Sequence, residues 1–399
     1  MIITRILSII FIIGSGVFAS YFGGNISYAI FNLAIFIPII SFLYTVYVYF
    51  RFKIYQSMDN YIVVKGDWNN YSFIIANEDI IAFRNVKVKF LHDKSTIKKT
   101  EGSMEYSLLP NDKERMETKL RCNYRGEYSV GVDSIQVTDF LYLFSITYPI
   151  TSKLKVLVYP RVVSLEQLGI APSLIDSKNP VRFSNTVDEE LDTEIRRYNP
   201  GDNKKRIHWK ASAKANELLS RKYHQKPKAE VELFMDLSKI SDDDLNVVIA
   251  EDKIIESILA IGKYYSTRET PSHIIYDMEG IQQMSIHNKH DFNAFYKACV
   301  KIKFKAKTSV GDLVARRLQR GDDGIFYVIA TTRLSKELYL SSLQALSGGN
   351  HLCILFVSND FSEDTKRLTD DMKKAGADIY QIMPKDEISD ILAGDTTIA

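Results

Sequence analysis

The residues best suited to chemistry crowd into one stretch, EIRRYNPGDNKKRIHWKASAKANELLSRKYHQ, from Glu194 to Gln225. Asp202 and His208 offer a carboxylate and an imidazole for proton transfer, but no nucleophile accompanies them. Lys204, Lys205, Arg206, Lys210 and Lys214, beside His208 and Trp209, make a short basic patch with aromatics, as nucleic-acid grips do. A third reading is a structural and partner-binding clasp. In it Arg196 and Arg197 pair with Glu189, Glu190 or Asp202, and Trp209 buries its ring between domains with its N–H bonded. The clasp is preferred and no nucleic-acid partner is expected, because the net charge is only +2 and no global imbalance calls for a polyanion.

A second candidate follows the apolar run VELFM: Asp236-Leu237-Ser238-Lys239-Ile240. A carboxylate and hydroxyls at this spacing supply hard oxygen ligands to Mg²⁺. Ile240 stands where a second serine is wanted, and Thr331 where a metal site favours an acid. Thr308, ahead of a helix starting near Val310, offers a further hydroxyl. The candidate metal set is therefore Asp236, Ser238 and Thr308; the alternative is that Asp236 and Ser238 cap the following loop and helix. Gly321-Asp322-Asp323-Gly324 reads as a turn, and His287 and His290 as surface histidines without a third ligand. The chain has no phosphate-binding Gly-x-x-x-x-Gly-Lys-Ser/Thr loop and no His-Glu-x-x-His, so neither chemistry is expected.

These residues must be positioned by several units, since 399 residues exceed one small domain. About 45 residues separate Arg5 from the next charge, Arg51, where one membrane span needs about 20. Gly23, Gly24 and Asn25 interrupt the run, so a helical hairpin is expected, from Ile6 to about Tyr21 and from Ile26 to about Phe50. Tyr44, Tyr47 and Tyr49 suit an interfacial aromatic belt. Arg5, Arg51 and Lys53 flank the hairpin and its turn carries no positive charge, which places both ends and the bulk of the chain in the cytoplasm of a cell-membrane protein. Cys122, Cys299 and Cys353 are far apart in apolar runs, as buried thiols of a reducing compartment would be.

Beyond the hairpin (1–53), residues 54–165 alternate apolar and polar, the period of strands in an antiparallel sandwich or barrel. The dense stretch falls in 166–228, a segment linking domains. There Leu191 and Ile195 keep a strand period, and Lys204 to Asn216 suit about three helical turns capped by Asp202 or Asn203. From 229 to 399 strands alternate with helices, which predicts a doubly wound α/β domain with its sites at the carboxyl ends of strands. The places to inspect follow Met235, Ala330 and Ser358.

The dense stretch is similar to the signature of the bacterial family called domain of unknown function 58. The matching residues are Arg196, Tyr198, Pro200, Gly201, Asp202, Arg206, Ile207, His208, Trp209, Lys210, Ser212 and Ala213. YRGEYSVG (124–131), DFLYLF (139–144) and VYPR (158–161) also resemble family features, with Tyr142 where a glycine is common. The resemblance implies a von Willebrand factor A-like C-terminal domain. It further implies a non-enzymatic membrane adaptor working with a MoxR-type AAA+ ATPase and a membrane-bound transglutaminase-like protein in an envelope process. Ile240 and Thr331 depart from the full metal-binding pattern.

Overall fold

A computed structural model describes residues 1–98, 103–150, 153–170, 183–184, 193–198, 207–223, 228–229, 231–240, 245–321, 324–359 and 362–393. The chain divides into two compact units, Met1–Arg161 and Val162–Ala399.

The first unit opens with helices α1 (Ile2–Phe22) and α2 (Gly24–Arg51), both long and apolar enough to cross a membrane. The turn between them rests on Gly23 and Gly24 at φ 60° and 86°, a backbone region that side chains with a Cβ avoid. Ser15, Ala19, Ser27 and Ala34 are buried, a seam of small residues that lets apolar helices approach closely. The tyrosines near the end of α2 are bonded to the β-rich body. Tyr44 donates to the Ala82 carbonyl at 2.8 Å and accepts from the Arg84 amide at 3.1 Å. Tyr49 stacks edge-on with Tyr148, 5.3 Å between centroids. The physical reason is length. The 28 residues of α2 run about 42 Å against about 32 Å for the 21 residues of α1, so the end of α2 reaches into the β-rich body.

That body holds β1 (Lys53–Met58), β2 (Ile62–Val64), β3 (Trp68–Ala76), β4 (Phe83–Phe90), β5 (Ser95–Ile97), β6 (Ser103–Leu108), β7 (Lys113–Cys122), β8 (Gly126–Val130), β9 (Val132–Thr138), β10 (Ser145–Pro149) and β11 (Leu154–Tyr159). They form sheets of order β1-β3-β7-β5, β10-β9-β4-β6 and β2-β11-β8. All pairings are antiparallel except β2 with β11. Alternate residues face one core, as in Val86, Val88 and Phe90 of β4 or Phe73 and Ile75 of β3, and Val48 of α2 is part of it. Tyr142, in the β9–β10 loop, adopts φ 57°, a backbone region that glycine enters freely and a bulky residue rarely does.

In the second unit β12 (Phe183–Ser184) pairs with β15 (Lys228–Ala229), and β13 (Thr193–Arg197) with β14 (Leu219–Tyr223), both antiparallel. Between β13 and β14 lies α3 (Trp209–Ala215). The main sheet uses β16 (Val231–Met235), β17 (Ser272–Asp277), β18 (Ile281–Ile286), β19 (Phe326–Thr331), β20 (His351–Val357) and β21 (Asp378–Ile382), in the order β18-β17-β16-β19-β20-β21. All neighbours are parallel except the β17–β18 pair. Helices α4 (Leu245–Thr267), α5 (Lys289–Cys299) and α9 (Ile388–Ala393) supply the core on one face. Helices α6 (Val310–Leu318), α7 (Lys336–Ser347) and α8 (Glu363–Lys374) supply it on the other. Leu168 and Ile170, assigned from sequence to the linking segment, are buried in the first of these cores. The antiparallel edge strand β18 and the short α9 were not anticipated. GIQQMSI is too polar to read as a strand, and α9 is too short for helical periodicity to register.

At Gly311 of α6 a Cβ would stand 2.6 Å from the Leu338 amide nitrogen, so only glycine permits the contact of α6 with α7. Glu232, fully buried in the central strand, pairs with Arg317 of α6 at 2.5 Å. A removed partner would strand a charge in the core.

Candidate functional site

The pairing register sets a row of polar side chains along the carboxyl edge of the main sheet. Met235 lies opposite Tyr276 on one side and Ala330 on the other. The next residues, Asp277, Asp236 and Thr331, are therefore neighbours at one level. They share the face of Phe234, Ile275 and Ile329, which is the α6–α7 face. All three are buried.

Asp236 binds its own loop. Its Oδ1 accepts from the Ser238 amide at 2.9 Å and its Oδ2 from the Thr331 hydroxyl at 2.6 Å. Thr331 Oγ1 also accepts from the Arg333 amide at 3.1 Å, which fixes the turn after β19. The residue read as a misplaced acid position is thus Asp236's hydrogen-bond partner. Asp277 organises the adjoining loops. Its Oδ1 accepts from Gly280 at 3.0 Å, and its Oδ2 from the amides of Lys307 at 3.1 Å and Thr308 at 2.8 Å. The Thr308 amide, aided by its hydroxyl and the amides of Gly280 and Lys307, holds this carboxyl below the usual range. Ser309 caps α6 by accepting from Asp312 at 3.1 Å.

Of the three residues read as a metal set, Asp236 and Ser238 belong to one loop, Ser238 bridges to Ala306 of the loop that carries Thr308, and Thr308 bonds to Asp277. Three amides and a hydroxyl fill the acceptor sites of Asp277. Asp236 keeps the Thr331 hydroxyl and the Ser238 amide as its partners. Among the described residues no group of three His, Cys, Asp or Glu could hold a metal ion. Asp277 was missed in the sequence, although it ends SHIIYD as Asp236 follows VELFM, an acid closing an apolar strand in both cases.

The dense stretch is described in part. Pro200, Gly201, Asp202 and Arg206 lie outside the described residues, as do Glu189 and Glu190, the acids offered as partners for the arginines. Arg196 is on β13, opposite Ser220 of β14. Arg197 binds both carboxylate oxygens of Glu217 through Nε and Nη2, at 2.8 and 3.1 Å, a partner not foreseen. The Tyr198 amide donates to the Leu218 carbonyl at 2.8 Å. The helix is shorter than expected and begins later. Ile207 bridges to Ser220 in extended form, and His208 is the cap, its Nδ1 accepting from the Ala211 amide at 3.2 Å. In that role the imidazole is engaged with its own helix. Ser212 Oγ accepts from the Leu219 amide at 2.9 Å and brings α3 against β14. Trp209 is 67% exposed on α3. Lys210 is also exposed.

No protein-family model matches the chain and no curated protein matches it. Two solved structures of the CARDB domain of a Pyrococcus furiosus protein are similar to part of it. The crystal structure, a complex with di-metal ions, is 15% identical and covers 27% of this chain and 86% of its own, with a TM-score of 0.18. The solution structure is 13% identical and covers 27% and 94%, also with a TM-score of 0.18. At that score the likeness carries no argument.

Proposed function

We propose that the protein is a membrane-anchored adaptor whose α/β unit, von Willebrand factor A-like in kind, binds a protein partner with the loops at its strand ends. The hairpin holds it in the cell membrane with the bulk of the chain cytoplasmic. The partner is an AAA+ ATPase of the MoxR type, with a transglutaminase-like membrane protein in the same envelope process. The family resemblance to domain of unknown function 58 supports this assignment of partners. The observation that carries the binding reading is the row Asp277, Asp236 and Thr331. These polar groups are spent on fixing loop shape, with amides and hydroxyls as partners, as suits a rigid presenting edge. The one hydroxyl–carboxylate pair in the row, Thr331 with Asp236, is buried and bonded into its own loops rather than open to a substrate.

The test is recovery of the intact protein in mild detergent after crosslinking in cells. Parent is compared with Lys239→Glu and Arg333→Glu, exposed positions on two of these loops. Recovery of an AAA+ ATPase with the parent and its loss with either folded variant is the expected result. Equal recovery from all three would place the contact elsewhere. No ATPase with the parent would remove the adaptor reading and turn attention to an activity at His208 and Asp202.

A further inference from the structure

The β9–β10 loop, Asp139 to Phe144, is built against the membrane hairpin. The Asp139 carboxylate is fully buried and accepts from the Ser41 hydroxyl of α2. It also accepts from the amides of Leu141 at 3.0 Å and Phe144 at 2.7 Å, which closes the loop. From the other helix, Thr4 donates to the Tyr142 carbonyl at 2.8 Å and Arg5 to the Leu143 carbonyl at 2.7 Å. Ring contacts continue the seam: Phe42 with Phe144 at 5.4 Å and Tyr44 with Phe140 at 5.6 Å. The loop therefore sits level with the first turn of α1.

That level has a physical meaning. The 21 residues of α1 span about 32 Å, close to the hydrocarbon thickness of about 30 Å. The start of α1 then marks the boundary between acyl chains and headgroups, and the loop lies at this boundary. Its two outward rings, Phe140 and Tyr142, are 46% and 47% exposed, and on α1 the residues after Thr4 and Arg5, Ile6 and Leu7, are 51% and 59% exposed. Tyr142 holds a left-handed backbone, φ 57°, which bulky residues rarely adopt. Its hydroxyl reaches Asn85 at 3.2 Å, so the ring stands fixed with an apolar flank outward. Strain of this kind persists where the side chain has work to do. An aromatic with a polar tip is favoured at the membrane–water interface.

We infer that the Asp139–Phe144 loop is a lipid-contact element, with Phe140 and Tyr142 seated in the headgroup layer of the leaflet that α1 enters. It fixes the β-rich unit on the bilayer surface. The inference rests on reading α1 and α2 as a membrane hairpin, and the experiment separates the two.

The full chain is reconstituted in vesicles of zwitterionic and anionic phospholipid brominated either near the top or near the end of the acyl chain. Emission added over the parent is followed in Phe140→Trp, Tyr142→Trp and, as a mid-span reference, Ile13→Trp. Both loop variants are expected to be quenched about twofold more by the shallow label than by the deep one, and Ile13→Trp by the deep one more. If Ile13→Trp is deeply quenched while the loop variants answer only to aqueous iodide, the seat is overturned and the hairpin stands. If Ile13→Trp is untouched by either lipid, the hairpin reading fails and the seat with it. Phe140→Trp is also made in a Tyr142→Gly background, where glycine suits the backbone and the fold is kept. Shallow quenching then falls; unchanged quenching would overturn the role given to Tyr142.

Discussion

In the β-rich unit Asp139 gathers the amides of Leu141 and Phe144 and the hydroxyl of Ser41. In the α/β unit Asp277 gathers the amides of Gly280, Lys307 and Thr308. Both carboxylates are buried at the end of a strand, and both are tolerated because donors aim at them. They differ in where the last donor comes from. Asp277 draws on two loops of one sheet edge and makes a rigid rim. Asp139 draws on an apolar helix whose surface is otherwise poor in polar groups, and so ties a loop to the hairpin. One acid shapes the rim of a sheet; the other fastens a β-rich fold to a pair of apolar helices.

The largest effect expected on this comparison comes from beneath the Asp277 rim. Arg317→Met breaks the buried ion pair with Glu232 and should cost about 4 kcal/mol. Pairing it with Glu232→Met should restore most of that. Native-state hydrogen exchange should show the loss in the α/β strands and not in the β-rich ones. Next, Asp139→Ala and Asp277→Ala should each cost about 2 kcal/mol in their own unit. Asp139→Ala should also raise protease cleavage between β9 and β10. If either variant loosened the other unit equally, the contrast drawn here would be broken.

Acid sharpens the comparison. Asp277 has a lowered pKa, chiefly through the Thr308 amide, and Asp79 of the β-rich unit is held down at about 2 by hydrogen bonds from Tyr47 and Arg51. A group whose folded pKa lies below its unfolded value, about 4 for aspartate, lends stability above that value and loses it as pH falls through the folded one. Both units should therefore weaken only below about pH 4, with the Asp79 contribution persisting to about pH 2. Asp277→Asn should flatten the acid limb of the α/β unit alone, as read by exchange at stepped pH. A variant limb parallel to the parent's would remove Asp277 from the account. The smallest effect is local. His208→Ala should cost about 1 kcal/mol through loss of the α3 cap, and His208→Asn should keep it. Equal melting of the two would show that the cap contributes nothing.

Much of the architecture was legible because periodicity reports burial. The paired spans, the alternating strands such as Val86 to Phe90, and helices stopped by Gly348 and Gly376 all follow from local pattern. The site was legible only as single residues. Asp236 and Ser238 stood out as a loop, but Asp277 looked like any strand-ending acid, and Thr331 looked like a lost ligand. Trp209 was read as a ring buried between domains, a matter of distant contacts that local pattern does not report, and it is 67% exposed on α3.

What the sequence determined by itself is what depends on neighbours along the chain: an apolar length that suits a bilayer, a glycine turn, the strand and helix periods. What only the tertiary structure decided is which polar groups meet. Register set Asp277, Asp236 and Thr331 side by side, and the packing of the β9–β10 loop on α2 brought Asp139 to Ser41. The reason is that a hydrogen bond acts over about 3 Å, and no pattern along the chain states which distant strands will bring two residues that close.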